Sequence, residues 1–318
     1  MAGPTDIPFT PELHLRLLLS IDRGHNVQRA VRSAVRPGDR VLDAGTGSGL
    51  LALVAADAGA AEVVAVDRHH VGMAERIARH NGVADRITFV ESDLADLDPE
   101  DLGGRFDVLL GMIHTNNPLL DEERSRLVVE LRRRFGTADC RVLPGEVRYL
   151  ATGCDRLDWD LPTELADLAQ ATETLQGAYG WDFQPLVDAV RDGVAMRAAR
   201  PAKGVTPAWR SPTRSGALRF PRNDVRLLTA AEDWVTVDYQ ASSFDGFPDQ
   251  VRLTTTAAGR LTGVIWTQQL RYAGVPLWTS ESYSPLAGPR HVGPGQDLVF
   301  GTGATWRATN VLSHHHPT

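Results

Sequence analysis

The stretch that most constrains this chain runs Val41-Leu42-Asp43-Ala44-Gly45-Thr46-Gly47-Ser48-Gly49, with Val63-Val64-Ala65-Val66-Asp67 close behind it. An apolar run ending in a glycine turn, then a helix-forming segment, then a second apolar run ending in a carboxylate is the pattern of a βαβ crossover that holds a nucleotide cofactor. Glycines at 45, 47 and 49 let the backbone turn sharply and approach a ligand closely, and the helix that follows presents free N–H groups. Asp67, about 20 residues past the turn, is placed to accept hydrogen bonds from ribose hydroxyls.

Strands and helices alternate on both sides of that crossover. Apolar spacings of three and four predict one or two helices over residues 11–35, and an apolar helix follows the glycine turn over 50–58. Strands are expected at 63–67, 87–90 and 106–110, with helices at 71–80 and 121–135 and an extended segment from 142. This pace implies a parallel, doubly wound α/β sheet. Beyond residue 145 the texture changes to short alternating segments between turns, at 146–153, 234–239, 251–256, 262–270, 298–300 and 304–308, around a helical stretch at 160–196. That half reads as a barrel or sandwich. The chain of 318 residues is long enough for two cores. It divides into N-terminal helices (1–35), a cofactor-binding Rossmann-like domain (36–144) and a β-barrel-like substrate domain (145–318) with a helical insertion over about 158–198.

A net charge of −7 gives no electrostatic reason to bind nucleic acid or an anionic membrane. Two cysteines, Cys140 and Cys154, form no CxxC pair, which argues against a metal site or disulfide scaffold and fits a reducing cytoplasm. Polar interruptions at His14 and Arg16 break the early apolar run, so neither a signal peptide nor a membrane span is expected.

The glycine turn alone does not choose the cofactor. Asp43 does, because a carboxylate two residues before Gly45 would repel a pyrophosphate and attract the ammonium of an amino-acid-bearing cofactor. That favours S-adenosylmethionine over NAD. Residues 36–110 then resemble the core of a class I S-adenosylmethionine-dependent methyltransferase, and 41–67 most resemble the protein arginine methyltransferases. Leu143-Pro144 leading into Val147-Arg148-Tyr149-Leu150-Ala151 is similar to that family's passage into its β-barrel. Ala178-Tyr179-Gly180-Trp181-Asp182-Phe183 is similar to its dimerisation arm, and 274–300 to its late barrel strands. The resemblance implies a seven-stranded Rossmann-like domain followed by a β-barrel with a helical dimerisation arm, and hence a homodimer. It places Asp43, Gly45, Thr46, Gly47, Asp67, Arg68, Asp93 and Leu94 around the cofactor. Asp93 also fits a simple cap of the turn at 93–96.

One departure matters. The family carries two glutamates on the loop after the fourth strand, which hold a guanidinium by paired hydrogen bonds. Here that loop reads Gly111-Met112-Ile113-His114-Thr115-Asn116-Asn117-Pro118, without an acid before Asp121, and Asp121 to Glu123 sit where carboxylates commonly complement a helix dipole. The family's barrel histidine-tryptophan pair is Leu277-Trp278, and its N-terminal arginine for the cofactor carboxylate is replaced at His25, with Arg23 nearby. In the loop, His114 is the candidate base, because its ordinary pKa lies near neutrality. Asn116, Asn117 and Trp278 are candidate acceptor contacts. A backbone-capping His114 and a turn at Asn116-Asn117 are the competing structural reading. The expected function is methyl transfer to a nitrogen, carbon or oxygen of a small molecule, with aromatic and indole-containing specialised metabolites as the superfamily's precedent. A protein methyltransferase of the arginine type and a catalytically silent cofactor-binding partner subunit are the alternatives.

Overall fold

The structure is a computed structural model that describes residues 14, 17–19, 21–69, 71–115, 117–156, 173, 184, 225–241 and 243–314. The expected helical stretch at 160–196 and the arm at 178–183 therefore lie outside, or almost wholly outside, the described residues.

After helix α1 (Ile21–Ala34), strands and helices alternate as β1 (Arg40–Ala44), α2 (Leu50–Asp57), β2 (Glu62–Asp67), α3 (Val71–His80), β3 (Ile87–Glu91), β4 (Phe106–Leu110), α4 (Pro118–Phe135) and β5 (Gly136–Leu143). The five strands pair in the order β3-β2-β1-β4-β5, and all four pairings are parallel. β1 lies at the centre, and past Arg40 it is buried throughout, so it reads as an apolar run interrupted only by Asp43. The order reverses beside β1, and the crevice outside such a switch point is where ligands bind in open α/β sheets.

The parallel sheet has five strands among the described residues, against the seven expected. The chain leaves it at Pro144-Gly145, where Gly145 donates to the Arg271 carbonyl (2.8 Å) and accepts from Tyr239 (3.0 Å). These bonds steer the chain into the second half, where antiparallel pairing takes over. There β6 (Glu146–Arg156) pairs with β10 (Gly259–Tyr272), β7 (Val225–Leu227) and β8 (Glu232–Asp238), while β10 also pairs with β11 (Val275–Val292). A second sheet holds β9 (Gln250–Thr254), β12 (Asp297–Gly301) and β13 (Ser313–His314). Bridges at Thr229–Thr255 and Leu286–Leu312 stitch the two sheets together.

Residues 304–308, expected as a strand, form a short helix, α5 (Ala304–Thr309). Only Trp306 of it is buried, and a single buried anchor carries no alternating pattern; the indole seats on Trp234 and Trp266 while the rest stays at the surface. Helix α4 begins at Pro118 rather than at 121, and β5 at Gly136 rather than 142. The proline sits at the first helical position, where its missing N–H is not needed. One buried core runs from α1 through the parallel sheet into the barrel.

Candidate functional site

The glycine turn lies between β1 and α2. Gly45 and Thr46 both donate to the Val66 carbonyl, at 2.9 and 3.0 Å, tying the turn to β2. Gly45 (φ 80°) and Gly47 (φ 54°) occupy the left-handed region that glycine adopts without strain. Space also selects glycine. A Cβ on Gly47 would stand 2.5 Å from the His14 ring, and one on Gly45 would stand 2.8 Å from Cγ2 of Ile113. The second contact brings the loop after β4 against the turn.

Asp43 is fully buried at this centre. Its Oδ2 accepts from the Thr46 hydroxyl (2.7 Å) and the Ala52 amide (3.1 Å), whereas its Oδ1 is shielded from solvent without a partner among the described residues. Burial pushes its pKa up to about 7, against the pull of those two bonds and with a further push from Asp67. An unpaired carboxylate oxygen held out of water is matched by a cationic donor, and the ammonium of an amino-acid-bearing nucleotide supplies one. The residues present therefore fit S-adenosylmethionine.

Asp67 closes β2 and accepts from the Gly47 amide (2.9 Å) through Oδ2 and from the His69 amide (3.3 Å) through Oδ1. It links the turn to the strand end and is only half-buried. Beside it, an open cleft of about 500 Å³ is lined by His69, Gly72, Met73, Arg76 and Glu91. Arg68 pairs with Asp93 at 3.7 Å, and Asp93 accepts from the Ala95 amide (2.9 Å) as the N-cap of a short turn containing Leu94. Asp43, Gly45, Thr46, Gly47 and Asp67 thus form one bonded group, with Arg68 and Asp93 forming a pair on the β2–β3 side.

The opposite wall is the loop at 111–117. His114 hydrogen-bonds through Nε2 to the Tyr239 hydroxyl, which also bonds Ser125 (3.0 Å). Its Nδ1 is shielded and unpartnered among the described residues. Burial, and then the nearby Arg124 cation, drive its pKa down to about 3 rather than leaving it near neutrality. Arg124 in turn donates to the Ile113 carbonyl. The Asn117 side chain accepts from the Leu119 amide (3.0 Å) and caps α4. Asn116 is outside the described residues. Trp278 sits on β11 with the Arg23 guanidinium 5.8 Å from its ring centre, while Asn26 of α1 donates to the Leu277 carbonyl (3.4 Å).

Sequence reasoning missed Asp121. Instead of a solvent-facing residue complementing a dipole, it is a fully buried carboxylate bonded by Thr115, Tyr149 and Gln268. Glu122 pairs with Arg126 (3.0 Å) and with Arg307 of α5 (2.5 Å). The available signal was weak: Asp121 falls four residues before Ser125, and Ser125, Val128 and Val129 share its buried face.

Residues 27–115 match the family model described as ribosomal protein L11 methyltransferase (PrmA). Among curated relatives, the ribosomal protein L11 methyltransferase of Syntrophotalea carbinolica is 42% identical over 109 residues, 33% of this chain and 32% of that one. The ribosomal protein arginine N-methyltransferase rmt3 of Schizosaccharomyces pombe is 30% identical over 165 residues, 50% of this chain and 28% of its own. The chain thus spans about a third or less of the length of these relatives. Over nearly the whole chain it superposes on solved arginine methyltransferase structures. The Trypanosoma brucei PRMT1 enzyme-prozyme complex with AdoHcy gives a TM-score of 0.61 at 18% identity, covering 91% of this chain and 86% of that one. PRMT6 gives 0.61 at 14%, covering 96% and 97%. Residues 27–115 thus resemble the cofactor-binding core of class I S-adenosylmethionine-dependent methyltransferases, and the fold of the chain is that of the solved protein arginine methyltransferases.

The same relatives overturn the small-molecule acceptor expected from the sequence, because the named substrates among them are ribosomal proteins. The expectation rested on an acid-free loop. Such a loop constrains the charge of the accepting atom and is silent on whether that atom belongs to a protein.

Proposed function

We propose that this chain transfers a methyl group from S-adenosylmethionine to a nitrogen atom of a protein substrate. The observation that carries the proposal is the approach of Ile113 to Gly45, which sets the loop after β4 against the same turn that Asp43, with its unpaired buried oxygen, leads into. In this reading Asp43, Gly45, Thr46 and Gly47 receive the amino-acid end of the cofactor. The remaining lone pairs of Asp67 receive the ribose hydroxyls, and Arg68, Asp93 and Leu94 flank the adenine.

When bound, the cofactor supplies an electrophilic methyl on a sulfonium. An acceptor nitrogen would take that methyl with the C–S electron pair staying on sulfur, and would give up its proton to bulk solvent after transfer. The chain's part is to align the acceptor and keep water from the crevice. His114, held neutral by burial, serves in this reading as a fixed hydrogen-bonding wall rather than as a base. Trp278 shares a sheet face with Gln268 and Ser280 through the Leu270–Trp278 and Gln268–Ser280 pairs, which supports its place on the acceptor side together with residues 116 and 117.

Unpaired, buried Cys140 and Cys154 support a reducing cytoplasm as the setting. The likeness of residues 178–183 to a dimerisation arm supports a homodimer, and a monomer in light scattering would remove that part. The central test is incubation with labelled cofactor and ribosomal proteins. Label is expected in acid-precipitable protein at a side-chain or terminal nitrogen. Cofactor binding without any protein labelling overturns the proposal.

A further inference from the structure

We infer that Asp121 is the positioning residue of the loop between β4 and α4, and that Tyr149 and Gln268 of the barrel hold it in that role. The inference rests on the proposed function only in taking this loop as the acceptor wall.

Four donors converge on one buried carboxylate. Oδ1 accepts from the Thr115 amide (2.8 Å) and the Thr115 hydroxyl (2.9 Å). Oδ2 accepts from the Tyr149 hydroxyl and the Gln268 amide. The Gln268 amide group also donates to the Thr115 carbonyl, so Thr115 is gripped at its N–H, its hydroxyl and its C=O. Ser280 donates to the Gln268 carbonyl oxygen (3.1 Å), which fixes that side chain with its NH₂ towards Asp121. An ionised carboxylate, acceptor at every lone pair, is the side chain this arrangement requires. The carboxamide of the same shape would, in either orientation, turn its NH₂ onto a donor, the Thr115 N–H or the Gln268 NH₂.

The fold makes the arrangement possible. Asp121 lies on α4, Tyr149 on β6 and Gln268 on β10, elements that meet only once the chain has crossed into the barrel. Tyr239, after β8, adds a second attachment one residue away by bonding His114. The loop whose Ile113 lies against the glycine turn is thereby held by residues from the other half of the molecule. Burial pushes the Asp121 pKa up to about 6, against the pull of Tyr149 and Thr115, so the carboxylate predominates at neutral pH. With its lone pairs engaged by four donors, Asp121 acts through Thr115 and leaves acceptor contact to its neighbours.

Amide hydrogen exchange on the full chain tests the inference without any acceptor. In Asp121→Asn, amides at 112–117 should exchange about tenfold faster, as expected for loss of a buried charge-assisted bond. Those of Gly45 and Thr46, which bond the Val66 carbonyl, should be unchanged. S-adenosylhomocysteine affinity by calorimetry should stay within about threefold, while any protein-methylation kcat falls about tenfold or more at unchanged cofactor KM. Should Asp121→Asn not fold, Tyr149→Phe removes one of the four donors, and acceleration of about threefold is expected in the same segment. Unchanged exchange at 112–117 in a folded variant, or acceleration spread evenly over the chain, overturns the inference. A wild type that labels no protein sinks the proposed function but leaves the exchange result to stand.

Discussion

Asp43 and His114 carry opposite displacements, and each has a measurable consequence. The folded-state pKa of Asp43 rises from 3.8 to about 7, so its contribution to stability is fully present below the unfolded value and is lost as pH rises through about 7. Asp43→Asn is therefore expected to melt higher than the wild type at pH 8, with the difference closing by pH 4. Cofactor binding runs the other way, because the ammonium pairs with the ionised form. Affinity for S-adenosylhomocysteine should weaken by about tenfold between pH 8 and pH 6 in the wild type and stay flat in Asp43→Asn, as calorimetry can show. His114 falls from 6.5 to about 3, so its contribution is present above 6.5 and is lost as pH falls towards 3. His114→Asn should lose less melting temperature between pH 7.5 and pH 5.5 than the wild type does. An equal loss in both would mean that His114 is solvated and titrates normally.

At the scale of elements, helix ends and hairpins are fixed by single polar atoms. The indole N–H groups of Trp266 and Trp306 both donate to Ser284, at 2.8 and 2.9 Å, and the Ser284 hydroxyl donates to Asn310 at 2.6 Å. One side chain thus joins β10, β11 and α5. Ser284→Ala leaves two buried donors unpartnered and should lower unfolding free energy by about 2 kcal/mol in urea denaturation. The cap of α4 is smaller in effect: Asn117→Ala should cost about 1 kcal/mol. Periodicity revealed most of these elements, because β1, β2, α2 and α3 satisfy local spacing rules. It mistook 304–308 for a strand because five residues with one buried tryptophan contain too little pattern to separate the two geometries.

Across the whole molecule, one core joins α1, the parallel sheet and the barrel. The two halves should therefore unfold together. Far-ultraviolet ellipticity, dominated by the helices, and fluorescence from Trp234, Trp266, Trp278 and Trp306 in the barrel half are expected to report one melting temperature; two separated transitions would show that the halves fold independently.

The proposed cofactor half of the site is written in a contiguous stretch. Asp43, the glycines and Asp67 lie within 25 residues, and their roles follow from local backbone conformation and the charge of one side chain. The sequence by itself determined that crossover, the donor nucleotide that it fits, and the change from a parallel to an antiparallel half. Only the tertiary structure decided the state of the proposed acceptor wall. Asp121 meets partners 28 and 147 residues away, and His114 meets Tyr239 across 125. A carboxylate at a helix start and a histidine in a loop look solvated when read along the chain. Burial against the barrel keeps the first at the centre of four donors and deprives the second of its proton.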